Sequence, residues 1–158
     1  MLIEHMFRTA FGRKPTTLVD APGRVNLIGE HTDYNGFPVM PLALTRTIQL
    51  LLAPNDGPEV ELDSAHGTAE FTLAEQIEPS PGEWVNYVKA AAQGLIDDFG
   101  GDTEWRGFQA VVLGDVPSGA GLSSSSALVV ASAMGLLAAN DREMDRDELA
   151  ELLANAEH

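Results

Sequence analysis

The chain has 158 residues, 44% of them hydrophobic and 21% charged, with a net charge of −15 at neutral pH. That composition is globular rather than disordered, and the length suffices for one domain with its own core. The acidic balance, with a pI near 4.3, argues against nucleic acid and anionic membranes as partners, since both attract basic patches; the lack of cysteine excludes disulfides and thiolate metal sites.

The first fifteen residues lack the apolar core and small-residue cleavage site of a signal peptide. The longest apolar stretch, Leu128 to Ala139, is interrupted by Ser132 and Gly135 and is too short to span a bilayer. A cytoplasmic protein is expected.

In chain order, Leu2, Ile3, Met6, Phe7, Ala10 and Phe11 recur at helical spacing, with Gly12 as a stop. Leu18 to Ile28 predicts two short strand pieces around a bend at Pro22 and Gly23. Thr45 to Ala53 predicts a strand, with Pro38 and Pro41 confined to its approach. "EVELDS" and "AEFTLA" predict a hairpin around His66 and Gly67, and Pro79 to Gly82 a loop. Trp84, Tyr87, Val88, Ala91, Leu95 and Phe99 then line one face of a helix.

Phe108 to Leu113 predicts a strand, followed by a glycine- and serine-rich loop and a helix to about Ala139. Asp145 with Glu148 three residues on is a capping signature. It opens a last helix whose Leu149, Leu152, Leu153 and Ala156 form one stripe. That stripe must be covered by the preceding helices or by polypeptide absent from this sequence. Hairpins and helices without regular βαβ alternation predict an α+β fold.

Two stretches carry chemistry. In "PSGAGLSSSSA", Pro117 to Ala127, glycines and serines stand between a strand and a helix. A helix start leaves backbone N–H groups unpaired and carries partial positive charge, so an anion is stabilised there. Gly119 and Gly121 let backbone approach a phosphate closely. Ser123 to Ser126 can cap the helix or offer hydroxyls to phosphate oxygens or a divalent ion. The lysine of the P-loop and the third glycine of the dinucleotide fingerprint are both missing. A serine-capped turn with no ligand is the competing reading.

In "APGRVNLIGEHTDYNG", Ala21 to Gly36, the groups Arg24, Asn26, Glu30, His31 and Asp33 fall within ten residues. Carboxylates beside an imidazole can hold a polyol through directional hydrogen bonds, and Arg24 can offset charge on a transferring phosphoryl group. The acidic groups and His31 could instead ligate a metal, though no second ligand cluster accompanies them, or could be solvated loop residues.

Together these stretches resemble the galactokinase family. "GRVNLIGEHTDYNG" is similar to its signature, "VPSGAGLSSSSALVVA" to the phosphate-binding motif of the wider GHMP kinase superfamily, and "GEWVNYVKA", Gly82 to Ala90, to a segment that opens a helix. The resemblance implies an N-terminal GHMP kinase domain, similar to domain 2 of ribosomal protein S5, spanning residues 1–158. It further implies ATP-dependent phosphorylation of the anomeric hydroxyl of galactose, with Mg²⁺.

By position, Arg24 is then the transition-state cation, and Glu30, His31, Thr32 and Asp33 contact the sugar. Gly119, Ala120, Gly121, Leu122, Ser123, Ser124 and Ser125 wrap the ATP phosphates, with the Ser125 hydroxyl on Mg²⁺. Trp84 lies near the adenine pocket, although the helical pattern alone fits a core tryptophan equally well. The family's catalytic aspartate, its second Mg²⁺ ligand and its third glycine-rich motif would fall beyond His158. A C-terminal domain is therefore expected to be absent from this chain, and turnover by the chain alone to be negligible. A non-catalytic galactose and ATP sensor, and a kinase for another sugar, are the alternative functions. The sequence leaves the oligomeric state open.

Overall fold

The computed structural model describes residues 2–29, 35–100, 103–116 and 123–156. In chain order the elements are α1 (Leu2–Phe11), β1 (Thr17–Ile28), β2 (Met40–Pro54), β3 (Glu59–Ser64), β4 (Gly67–Thr72), α2 (Asn86–Phe99), β5 (Phe108–Gly114), α3 (Ser124–Ala139) and α4 (Arg146–Ala156). The strands form one sheet in the order β1-β2-β5-β3-β4. All its pairings are antiparallel except that of β3 with β5.

The run Leu50-Leu51-Leu52-Ala53 sets the layering, because successive side chains of a strand point to opposite faces. Leu50 and Leu52 pack, with Ala110 and Val112 of β5, into the core that α2, α3 and α4 cover. Leu51, Ala53 and Val111 face the other way and meet Ile3 and Phe7 of α1. The centre of the sheet is thus buried on both faces, so β2 and β5 read as unbroken apolar runs rather than alternating ones.

Residues 17–28 form a single strand, not two pieces. The pairing with β2 skips at Gly23, between Pro22↔Thr47 and Arg24↔Ala43, so the bend is an irregularity within one ladder. Pro22 is tolerated because β1 is an edge strand. β2 likewise begins at Met40 and includes Pro41. Its pairing with β5 reaches only to Ile48, so residues 40–47 pair with β1 alone, and such an edge accepts a proline. This ribbon exposes Leu27, Ile28, Met40 and Leu42, with Phe37 beside them.

β4 starts at Gly67, two residues earlier than predicted, which leaves a tight turn of Ala65 and His66. The capping signature on α4 holds. The Asp145 carboxylate accepts from the Asp147 N–H at 2.9 Å and the Glu148 N–H at 3.4 Å. Asp145→Ala is expected to lower stability by about 1 kcal/mol, measured as a shift of the urea midpoint at unchanged slope. The α4 stripe is covered from within the chain: Leu153 is buried, Leu149 and Leu152 pack on the main core, and α4 lies against α2. Among the described residues no helix is long and apolar enough to cross a membrane.

Candidate functional site

The parallel pairing of β3 and β5 decides where the site forms. Ser64, the last residue of β3, is level with Val112 near the end of β5. Parallel strands finish at the same edge of a sheet, so the turn after β3 and the loop after β5 emerge side by side. β2 enters at that edge too, with Ile48 opposite Gly114. Ligands of sheets with parallel strands bind outside such carboxyl ends.

The segment leaving β5 is anchored before it reaches the serines. Asp115 accepts the Thr47 N–H on its carboxylate at 2.7 Å, its own N–H reaches the Thr47 carbonyl at 3.2 Å, and Arg46 donates to its carbonyl at 3.0 Å. Val116 is buried. The chain is described again at Ser123, which has left-handed backbone, φ 55° and ψ 42°. That conformation is strained for a residue with a Cβ. A left-handed residue leading into helical ones turns successive N–H groups toward a common point, a geometry that binds anions.

By sequence, Ser123 to Ser126 can either cap α3 or offer their hydroxyls to a ligand. Ser123 does take the N-cap position, but without a side-chain hydrogen bond to the helix; its carbonyl accepts the Ala127 N–H at 3.0 Å. The left-handed backbone accounts for this, since capping through the side chain calls for an extended N-cap residue.

The opposing wall is held from α2. Asn86 accepts the Ser80 N–H on its side-chain oxygen at 2.7 Å and donates back to the Ser80 carbonyl, while Lys89 donates to the Glu78 carbonyl and the Ser80 hydroxyl, both at 2.8 Å. These bonds strap the Pro79–Gly82 loop to the helix and fix Gly82, Glu83 and Trp84. The helix itself begins at Asn86, after Trp84, so Trp84 belongs to the approach.

Between the two walls lies a cleft of about 840 Å³. Trp84, Tyr87 and Glu83 line one side, Ser124, Ser125 and Leu128 the start of α3, and Ser64, Ala65, His66 and Thr68 the β3–β4 turn. Ser124 and Ser125 are half-buried there. This is an apolar floor with an anion-favouring helix start at one end and aromatic surface at another, which suits a flat ring joined to phosphates.

Residues 5–54 match the family described as the galactokinase galactose-binding signature, and residues 86–158 match the GHMP kinases N terminal domain. The galactokinase of Chloroflexus aggregans is 42% identical over 154 residues, 96% of this chain and 39% of that protein. Nearly the whole chain thus matches the N-terminal part of galactokinases. The solved galactokinase of Lactococcus lactis, complexed with galactose, superposes with a TM-score of 0.86 at 32% identity, over 98% of this chain and 40% of that one. The Methanococcus jannaschii mevalonate kinase has a TM-score of 0.76 at 20% identity, over 89% of this chain and 45% of that one, a likeness of fold alone. The predicted α+β GHMP kinase fold is thus the fold found. The chain spans about two-fifths of the length of the curated relatives it matches.

Of the site residues predicted for a galactokinase, the structure brings Trp84, Ser124 and Ser125 to one cleft, with Ser123 at the α3 N-cap. Arg24 is exposed on β1 opposite Ala43 and is not among the residues lining the cleft. Glu30, His31, Thr32, Asp33, Gly119, Ala120, Gly121 and Leu122 lie outside the described residues. Tyr87 and the turn from Ser64 to Thr68 also line the cleft, and sequence reasoning did not assign them to it. No local motif marks that turn; only the β3–β5 pairing brings it there. No group of three or more metal-ligating side chains occurs among the described residues. Ser125 can offer Mg²⁺ one oxygen ligand, with phosphate oxygens and water as the others, the usual manner of Mg²⁺ in nucleotide sites.

Proposed function

We propose that this chain is the N-terminal, phosphate- and sugar-binding domain of a galactokinase that transfers the γ-phosphoryl group of ATP to the anomeric hydroxyl of galactose. The observation that carries the reading is the shared cleft of Trp84 with the start of α3, in a chain whose residues 5–54 match the galactose-binding signature. Phosphoryl transfer depends mainly on positioning and charge stabilisation. The α3 start and the glycine loop hold the triphosphate, Ser125 supplies one oxygen to a Mg²⁺ that neutralises phosphate charge, Arg24 offsets charge on the moving group, and Glu30, His31 and Asp33 orient the sugar. The carboxylate that accepts the sugar proton belongs to a C-terminal domain outside these 158 residues. The bare apolar ribbon at Leu27, Ile28, Phe37, Met40 and Leu42 supports a domain that packs against further polypeptide. A cytoplasmic location is part of the same reading.

Titration calorimetry tests it. The chain is expected to bind galactose and ATP, and Asp33→Ala to weaken galactose binding about tenfold, as loss of a charged hydrogen-bonding partner does. Unchanged galactose affinity would remove Asp33 from the sugar site. Galactose-dependent ADP release by the 158-residue chain at roughly 1 s⁻¹ or faster, the range of active kinases, would refute the assignment of the base to a second domain.

A further inference from the structure

The β2–β5 ladder ends with Ile48 opposite Gly114, and the next pair in that register is Thr47 with Asp115. Residues so paired in an antiparallel ladder exchange two N–H···O bonds. Backbone makes only one of them here, from the Asp115 N–H to the Thr47 carbonyl at 3.2 Å. The Thr47 N–H goes instead to the Asp115 carboxylate at 2.7 Å, and the Asp115 carbonyl is turned aside to accept from Arg46 at 3.0 Å. We propose that Asp115 is a positioning residue for phosphate binding: its carboxylate replaces its own carbonyl in the ladder and so releases the backbone from the sheet toward the start of α3. The inference rests on the reading of that helix start as the phosphate site.

Aspartate side chains commonly stand in for a backbone acceptor. Without the carboxylate, the Thr47 N–H must take the Asp115 carbonyl or lose its partner. Taking the carbonyl lengthens the ladder by one pair and carries the following residues along the sheet. Gly114 and Val116, on either side of Asp115, both line the cleft, and Val116 is buried. The point at which the chain leaves the sheet therefore sets where the connection to Ser124 and Ser125 begins. Arg46 secures the turned carbonyl. It belongs to residues 44–46 of β2, which stand opposite Gly23 alone, an irregularity of the kind that re-aims a side chain.

Charge and geometry predict opposite signs for the loss of this carboxylate. A carboxylate near a triphosphate repels it, in a chain whose net charge is already −15. If Asp115 acted only as a surface charge, its removal would tighten phosphate binding. As a positioning residue, its removal weakens it. Asp115 is exposed and makes no contribution to the core, so its replacement leaves the fold intact.

Calorimetry with inorganic tripolyphosphate and with galactose tests this on the wild-type chain, Asp115→Ala, Asp115→Asn and Asp145→Ala, each shown to be folded by its urea midpoint. Asp115→Ala is expected to weaken tripolyphosphate by about 3–10-fold, the effect of one hydrogen bond. Asp115→Asn keeps an oxygen acceptor and sheds the charge, and should bind tripolyphosphate at least as well as the wild type. Asp145→Ala loses a cap on α4, away from the cleft, and should bind it as the wild type does. Galactose should bind all four proteins alike. The proposal is overturned by an Asp115→Ala protein that binds tripolyphosphate as well as the wild type or better, by Asp115→Asn as weak as Asp115→Ala, by an equal loss in Asp145→Ala, or by a parallel loss of galactose. A wild-type chain that does not bind tripolyphosphate overturns the phosphate site and this proposal with it, an outcome seen before any substitution is made.

Discussion

Gly107→Ala is expected to lower the stability of the chain by about 3 kcal/mol, at the upper end of what overpacking costs. A Cβ at Gly107 would lie 1.9 Å from the carbonyl oxygen of Glu59, 2.4 Å from its carbon and 2.8 Å from the carbonyl carbon of Pro58. These are backbone atoms, so no rotamer change relieves the clash. The glycine cannot retreat either: its N–H donates to the Gly57 carbonyl at 2.8 Å and its carbonyl accepts the Asn55 N–H at 2.9 Å. The start of β3 and the segment entering β5 are therefore forced apart, and β5, which starts at Phe108 and leads to the serine loop, moves with that segment. Gly135→Ala is the control. There the nearest atoms are the tips of Leu50 and Leu52, at 2.7 and 2.9 Å. Those tips can turn aside, and alanine adds helix propensity of up to about 1 kcal/mol. Urea unfolding of both variants should show a large fall in midpoint for Gly107→Ala and a small change for Gly135→Ala. Equal midpoints would mean that the β2–β3 connection yields more easily than its hydrogen bonds imply.

How far the sequence discloses this structure depends on whether the cause is local. The helical spacing of Ile3 and Phe7 and the cap at Asp145 act within a few residues, so both elements were legible. β5 was legible as well, from its apolar run. Pro22 and Pro41 misled because a proline's cost depends on whether its strand has one neighbour or two. That is a property of strand order, which no stretch of eleven residues contains.

The serines before α3 misled differently. Their composition suits an N-cap, yet Ser123 adopts left-handed backbone and leaves the cap unmade. Anion geometry at that point comes from the backbone, and sequence reports backbone dihedrals only through glycine and proline. The turn at His66 is the plainest case of nonlocal assembly. Its residues lie about sixty positions from the serines and share a cleft with them only because β3 runs parallel to β5. The motif segments, Gly82 to Ala90 among them, were legible as a family resemblance, whereas the β3–β4 turn beside them was not.

The chain's two tryptophans provide a test of which aromatic serves the ligand and which the core. Trp105 is buried, meets Phe99 edge-on at 5.4 Å between centroids, and carries the Arg142 guanidinium over its ring at 4.8 Å. Trp105→Ala is expected to cost about 3–5 kcal/mol of stability, as removal of a large core aromatic does, with no effect on nucleotide affinity beyond that of unfolding. Trp84 is half-buried, packs on the rim of the same core, and lines the cleft. Trp84→Ala is expected to cost about 1–3 kcal/mol of ATP binding, the value of a base stacked on an aromatic ring, or roughly 5- to 150-fold in Kd. Its loss of stability should be smaller than that of Trp105→Ala, because less of its surface leaves water on folding. Thermal melts and ATP calorimetry on both variants separate the two roles. If Trp84→Ala lowers the melting temperature as much as Trp105→Ala and leaves ATP binding unchanged, Trp84 is a core residue at the mouth of the cleft, and the base must stack on Tyr87 instead.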